Sequence, residues 1–319
     1  MYQRIAVVGA GGHTGQFVVA ELRRRGWSPV LCGRRTDLDA AFRDVDAVIN
    51  CAGPFAATAR PVIDAAIRAG RPYLDVTAEL EVVADTFARY SGAGIPIVPA
   101  VAFFGGLADL LATAAVAGWP RADRLTIAYA LSSWRPTAGT RATGRVSAQR
   151  RDGRRIVYTG GRLQSRAGAA PRGEWTFPAP VGRQPVVGEF TTADSATVPT
   201  HLDVAEIATY MTSSAVEDLL AADPSGPVAV DEQGRSAQTF LVEVVAELDG
   251  AQRRAVAAGR DIYAVTAPLV VEAAERVLAG SGSFAGVASV GARFDAADFL
   301  AALGPDQVTL AWPRSAPTA

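Results

Sequence analysis

The stretch RIAVVGAGGHTGQFVVAELRRRG, residues 4–26, prescribes a strand, a glycine bend and a helix in that order. Residues 4–8, RIAVV, read as a strand, and 14–26 carry Phe17, Val18 and Leu22 on one face at helical spacing. Between them Gly9, Gly12 and Gly15 spell G-x-x-G-x-x-G. In that setting Gly9 makes the tight turn, Gly12 lets a diphosphate come close to the backbone, and Gly15 lets the helix pack against the sheet. The unpaired N–H groups and the dipole at the helix start then face the phosphates. Gly11 offers a rival G-x-G register, but that one ends on Thr14, so the three-residue spacing is preferred. His13 is either a phosphate contact or a polar loop residue. The expectation is a nucleotide-binding βαβ unit whose loop from Gly9 through Gly11, Gly12, His13 and Thr14 to Gly15 carries the diphosphate.

The second strand, near 29–33, ends Cys32-Gly33-Arg34-Arg35, where an NAD-preferring protein carries an acidic residue for the ribose diol. A carboxylate there repels a 2′-phosphate, whereas a guanidinium makes charge-assisted hydrogen bonds to it. The cofactor expected is therefore NADP(H), with Arg34 as the main contact and Arg35 beside it or turned to solvent.

Further strands are expected at 47–51, 73–77 and 96–100, with helices at about 58–69 and 80–90 and another beginning near Gly106. From about Leu125 the pattern changes. RLTIAYAL leads into a Ser/Thr/Pro/Gly-rich loop, then RVSAQRRDGRRIVYTG, where Asp152-Gly153 reads as a hairpin turn between two strands. Asp249-Gly250 reads as a second such turn. A helix follows over YAVTAPLVVEAAERVLAG, with Pro268 tolerated in its first turn, then a helix capped by Asp295 and a strand near VTLAW. The expected architecture is α/β: a Rossmann-type doubly wound parallel sheet with an inserted α+β domain built on an antiparallel sheet. Residues 1–125 and 266–319 would form the nucleotide domain, and 126–265 a substrate and dimerisation domain.

Composition removes several rival chemistries. All 31 Lys+Arg residues are arginine, so a Walker lysine, a Schiff-base amine and a Tyr-x-x-x-Lys pair are all excluded. A net charge of -1 gives no basic field to attract nucleic acid. No apolar stretch is long enough to cross a bilayer, and no apolar signal region precedes the first strand, so a cytoplasmic protein is expected. Two separated cysteines and two histidines supply no metal shell, and no G-x-S-x-G elbow appears. An open sheet in the second domain calls for cover, and a homodimer is the expected solution.

VINCAGPF at 48–55 and YLDVTAE at 73–79 together resemble the saccharopine dehydrogenase-like oxidoreductases, which carry Asn-x-x-Gly-Pro-Phe/Tyr and then Tyr-x-Asp-x-x-Gly-Glu. VPAVAFFGGLADLLA and GRDIYAVTAPLVVEAAERVLAG are similar to later segments of that family. The resemblance covers most of the chain and implies NADPH-dependent reduction, with trans-acting enoyl reductases among the relatives. It assigns Asn50, Cys51, Ala52, Gly53 and Pro54 to a turn beside the cofactor, with Asn50 either fixing the loop or meeting the cofactor. Ala78 replaces the usual glycine and Phe104 stands where many relatives carry aspartate, so a more apolar pocket is implied than saccharopine would need.

For the catalytic groups, Asp75 and Glu79 stand where a strand runs into a helix beside the crevice. Either could bind substrate or move protons; otherwise Glu79 serves the start of the next helix, where negative charge is favourable, and Asp75 ties adjacent loops together. His201 and Tyr129 are further candidates for the proton donor, with Tyr210 and Tyr263 behind them. Phe103, Phe104 and Trp134 near the expected mouth favour a small, fairly apolar substrate. The acceptor bond is C=N or an activated C=C, with a ketone third. A protein that binds NADP(H) as a redox sensor without reducing anything is the alternative from another class.

Overall fold

The computed structural model describes residues 3–223, 225–280 and 284–311. The first part alternates strand and helix: β1 (Arg4–Val8), α1 (His13–Arg24), β2 (Ser28–Cys32), α2 (Leu38–Ala41), β3 (Ala47–Asn50), α3 (Phe55–Ala69), β4 (Tyr73–Asp75), α4 (Leu80–Tyr90), β5 (Pro96–Val98) and α5 (Ala108–Ala115). A strand-rich part follows: β6 (Ala122–Leu131), α6 (Ala138–Arg150), β7 (Arg155–Thr159), β8 (Arg162–Arg166), β9 (Arg172–Thr176), β10 (Arg183–Gly188), α7 (Asp194–Thr197), β11 (Val204–Thr212), α8 (Ser213–Leu220), β12 (Thr239–Leu248) and β13 (Ala251–Arg260). Then come α9 (Thr266–Leu278), β14 (Gly286–Val287), α10 (Val290–Arg293), α11 (Ala296–Ala302) and β15 (Val308–Ala311).

Six strands form a wholly parallel sheet in the order β14-β5-β4-β3-β1-β2. Because helices cover both faces, β3 and β4 are buried at every position, with apolar residues running unbroken up to the polar Asn50 and Asp75 at their carboxyl ends. The chain order reverses between β1 and β3, and the crevice beyond the carboxyl ends of strands at such a point is where open α/β sheets bind ligands. This is the expected Rossmann-like α/β arrangement.

The second sheet has nine strands and is mixed, not antiparallel as expected: β6 and β11 run parallel at its centre. The long segment between them, carrying α6 to α7, allows the chain to return and run in the same direction, which a tight hairpin cannot do. Asp249-Gly250 does turn the β12–β13 hairpin, pairing Leu248 with Ala251 across two residues of positive φ, 49° and 83°. Asp152-Gly153 does not turn a hairpin. Residues 138–150 are helical, Thr137 caps them by accepting from the Thr140 N–H at 3.0 Å, and Asp152 and Gly153 end the helix with positive φ of 52° and 66°. Among the α6 residues only Ser147 is buried, so the helix has no apolar stripe to reveal it in the sequence. The strand near VTLAW, placed by sequence in the nucleotide domain, pairs as β15 with β13, and β6 already begins at Ala122. The second sheet therefore extends beyond residues 126–265.

One apolar core lies between the two sheets. Ile5, Val7 and Leu74 of the parallel sheet share it with Ile127, Val242 and Val244 of the mixed sheet, and α5 and α9 fill the space between. Residues 266–274 of α9 are all buried, Pro268 included. Asp295 caps α11 as expected, accepting from the Asp298 N–H at 2.8 Å. No helix among the described residues is long and apolar enough to cross a membrane.

Candidate functional site

A cavity of about 1360 Å³ opens beyond the carboxyl ends of the parallel strands and continues under α6 to the mixed sheet. Its first wall is the glycine loop. Gly9 has a φ of 80°, donates its N–H to the Cys32 carbonyl at 2.9 Å, and accepts from the Gly12 N–H at 2.9 Å. A Cβ on Gly9 would stand 2.8 Å from the Ala52 nitrogen, so the turn after β1 interlocks with the turn after β3. A Cβ on Gly15 would collide with the Gly9 carbonyl oxygen. The closely packed positions are those of the three-residue register, as the sequence favours. Gly11 and Gly12 line the cavity with His13 and Thr14, and a Cβ on Gly11 would meet nothing within 4 Å. The helix cannot satisfy its own first N–H groups, so the loop fits a diphosphate.

At the end of β2 the cavity is lined by Gly33, Arg34 and Thr36, and the Gly33 N–H donates to Thr36 Oγ1 at 2.9 Å. Arg34 is exposed and has no ion-pair partner among the described residues; Arg35 lies off the wall. A free guanidinium at this rim suits a phosphate on the adenosine ribose.

At the end of β3, Cys51, Ala52 and Gly53 line the cavity, while Asn50 and Pro54 do not. Asn50 is fully buried: its Oδ1 accepts from the Ala52 N–H at 3.0 Å and its Nδ2 donates to the Tyr73 hydroxyl at 3.2 Å. Of its two readings, loop fixation is the one seen. Pro54 caps α3. Burial pushes the Cys51 thiol up, with the Asp75 charge adding to the shift.

The two carboxylates after β4 are tied up in hydrogen bonds. Asp75 is fully buried and accepts from the Tyr73 hydroxyl at 2.9 Å, the Thr77 N–H at 3.0 Å and the Ala100 N–H at 2.8 Å. Burial raises its carboxyl to about 6, against the pull of those three donors. Glu79 does reach the cavity wall, yet its oxygens accept from the Phe55 and Ala56 N–H groups at 2.6 and 3.0 Å. It serves the start of α3, one helix earlier than the sequence reading proposed. Burial raises it, and the two amides oppose that shift.

Tyr129 and His201 do not line the cavity. Tyr129 is fully buried and donates to Asp194 Oδ2 at 2.7 Å, while Asp194 Oδ1 accepts from the Gly105 N–H at 2.6 Å. His201 Nε2 lies 2.9 Å from Thr113 Oγ1 and 3.7 Å from Asp109, and its Nδ1 lies 3.3 Å from Ser289 Oγ, in a polar knot between α5 and α10.

The far wall joins groups the sequence did not bring forward, Thr140, Thr143 and Phe190, to Tyr263 and the aromatic residues that it did. Thr143 of α6 lies over Gly53, and Thr140 is also on the wall. Tyr263, just before α9, faces Thr140 and presents its ring to His13 at 5.2 Å between centroids. Burial pushes the His13 imidazole down. The sequence signal for α6 was a threonine cap ahead of AGTRATGRVSAQR. Deeper in, Phe103, Phe104, Trp134 and Phe190 form an aromatic group, with Phe104 centred 4.8 Å from Phe103, 5.5 Å from Trp134 and 6.4 Å from Phe190. Phe104 thus lines the cavity within an aromatic group, with Glu189 and Arg155 also on the wall. Among the described residues no group of acidic, histidine or cysteine side chains is arranged to hold a metal ion.

No family model matches this chain, and no curated protein matches its sequence. Solved structures do match. The apo histidine-tagged saccharopine dehydrogenase (L-Glu forming) from Saccharomyces cerevisiae aligns over 98% of this chain and 100% of its own, at 11% identity and a TM-score of 0.60. The DAP dehydrogenase of C. glutamicum, in complex with DAP, aligns over 95% and 96% at 13% identity and a TM-score of 0.49. The WlbA (WbpB) dehydrogenase from Thermus thermophilus, in complex with NAD and UDP-GlcNAcA, aligns over 99% and 97% at 14% identity and a TM-score of 0.41. From end to end, the chain has the fold of the yeast saccharopine dehydrogenase.

Proposed function

We propose that this protein is an NADPH-dependent oxidoreductase that reduces a C=N bond or an activated C=C bond in a small, fairly apolar metabolite. The observation that carries the reading is the single cavity running from a glycine turn and an unpaired arginine at one end to an aromatic chamber at the other. When bound, the dinucleotide supplies a hydride. The chain supplies the rest. Amides of the Gly9–Gly15 loop hold the diphosphate, Arg34 and Thr36 take the 2′-phosphate, and Cys51 to Gly53 flank the path. Phe103, Phe104, Trp134 and Phe190 keep water from the reacting end, where an uncharged acceptor is better accommodated than an amino acid.

Calorimetry with NADPH and NADH, followed by absorbance at the nicotinamide band with 2-methyl-1-pyrroline, crotonyl-coenzyme A and cyclohexanone, tests this reading. Tight NADPH binding with consumption on the imine or the enoyl thioester is the expected result. Consumption on the ketone alone makes it a ketone reductase, and tight binding with no consumption makes it a redox sensor. Absence of binding removes the proposal. The reading includes a homodimer, since β9 leaves an exposed strand at the edge of the mixed sheet. Light scattering that returns the 33.2 kDa of one chain removes that part.

A further inference from the structure

The hydroxyls of Thr137, Thr140 and Tyr263 form a chain at the cavity wall. The Tyr263 oxygen accepts from Trp134 Nε1–H at 3.2 Å and from the Thr137 N–H at 3.3 Å, and lies 3.0 Å from Thr140 Oγ1. Thr140 Oγ1 in turn lies 3.0 Å from Thr137 Oγ1, which also accepts the Thr140 N–H at 3.0 Å. A phenol oxygen has two acceptor positions and one proton. The two N–H donors take both positions, so the phenolic proton must point at Thr140 Oγ1.

Two hydrogen bonds now join three hydroxyls, and three protons are present. If Thr140 donates to Thr137, the Thr137 oxygen already has two donors and its own proton is left over. If Thr137 donates to Thr140, the Thr140 oxygen has two donors and the spare proton is its own. In either arrangement one threonine O–H has no acceptor among the described residues, and both threonines line the cavity.

We infer that this chain is the proton-delivering arm of the site: a threonine O–H contacts the acceptor atom of the substrate, and Tyr263 positions and recharges it. This rests on the oxidoreductase reading given above. As the acceptor carbon takes hydride, the π pair moves to an imine nitrogen, or to the carbonyl oxygen of an enoyl group. That atom bonds the threonine proton as the threonine O–H breaks, and the Tyr263 proton refills the threonine. The phenolate left behind faces Trp134 Nε1–H and the Thr137 N–H, and solvent water reprotonates it. Burial raises the Tyr263 phenol, and its three hydrogen-bond partners oppose that rise. The substrate class follows: a neutral acceptor with an exposed nitrogen or oxygen, beside apolar carbon that fits the aromatic chamber.

The experiment has two arms. Neutron diffraction from D2O-exchanged crystals of the full chain should show the Tyr263 deuterium on Thr140 Oγ1 and one threonine deuterium turned into the cavity. In the second arm Tyr263→Phe, Thr140→Val and Thr140→Ser are compared with the unaltered protein. All should bind NADPH within about twofold by calorimetry. On whichever acceptor the unaltered protein reduces, Tyr263→Phe and Thr140→Val should lower kcat by about 100-fold, the scale of a lost general acid. Thr140→Ser should recover most of the rate and keep the solvent isotope effect. A Tyr263 deuterium directed elsewhere, or Tyr263→Phe turning over at the unaltered rate, overturns the inference. Failure of the unaltered protein to bind NADPH instead overturns the reading beneath it, and the neutron map still decides the proton count.

Discussion

The two sheets contribute to the cavity in different ways. The parallel sheet brings backbone: turns at Gly9, Gly33 and Cys51–Gly53 meet at the reversal of strand order, and their shape is fixed by what has no side chain. The mixed sheet brings side chains, carried on segments that leave it, such as Trp134 after β6, Phe190 after β10 and Tyr263 after β13. Backbone geometry suits a ligand made of repeated phosphate and sugar, whereas a variable wall of side chains suits one substrate. The comparison predicts that lesions in the parallel half alter dinucleotide affinity, and that lesions in the mixed half alter turnover or stability.

Gly15→Val should have the largest effect. The added side chain runs into the Gly9 carbonyl, so dinucleotide affinity should fall by more than about 100-fold, with a lower melting temperature from overpacking. Near-normal NADPH binding in that variant would break the claim that backbone shape governs this half.

Asp75 marks where the division stops: buried behind the turns and off the cavity wall, it should act on stability, and pH reads that effect. Its folded carboxyl sits at about 6 against an ordinary value of 3.8, so the native state holds a proton that the unfolded state has released between those values. The contribution of Asp75 to stability should therefore fall as pH rises from about 4 to about 6, by at most about 3 kcal/mol. Asp75→Asn keeps an acceptor for Thr77 and Ala100 and a donor for Tyr73, so urea melts of the variant across that range should lack the Asp75 share of the slope. A slope of unchanged size would assign it to another group.

Arg34→Ala should weaken NADPH by about 10- to 100-fold, the value of charge-assisted hydrogen bonds, and NADH by no more than about twofold. Equal losses would break the phosphate assignment and leave Arg34 as a solvated side chain. The smallest effect belongs to Tyr129→Phe in the mixed half. Asp194 loses a donor there, so stability should drop by about 1–2 kcal/mol in urea while NADPH affinity stays unchanged. A marked loss of affinity would blur the division between the halves.

The same division explains what was legible in the sequence. The βαβ order, the glycine register and the turn at Asp249-Gly250 are local, because each depends on spacing within a dozen residues. Asn50, Asp75 and Glu79 were found by position, but whether they act on a ligand or on the backbone depends on which N–H groups the fold brings to them. Glu79 meets the amides of Phe55 and Ala56, twenty-odd residues back in the chain. Tyr129 and His201 stood out as chemical types, yet their partners Asp194 and Thr113 come from distant segments. Helix α6 was missed because its polar residues carry no periodic apolar stripe. A hydroxyl chain that joins residues 137 and 140 to 263 has no sequence pattern at all.

The shared filling of α5 and α9 limits how this molecule can admit a ligand. Two sheets glued to one oily slab cannot swing apart like jaws without exposing it, so bulk entry by hinge opening is costly. Helix α6 is covered differently: it is a polar bar with one buried residue, held at its far end by Ser147 Oγ donating to Glu81 at 2.8 Å and by Arg150 donating to Asp85 at 2.6 Å. Of these two ties only the Arg150–Asp85 pair is open to solvent, so added salt should loosen that end of the helix well before it disturbs the slab.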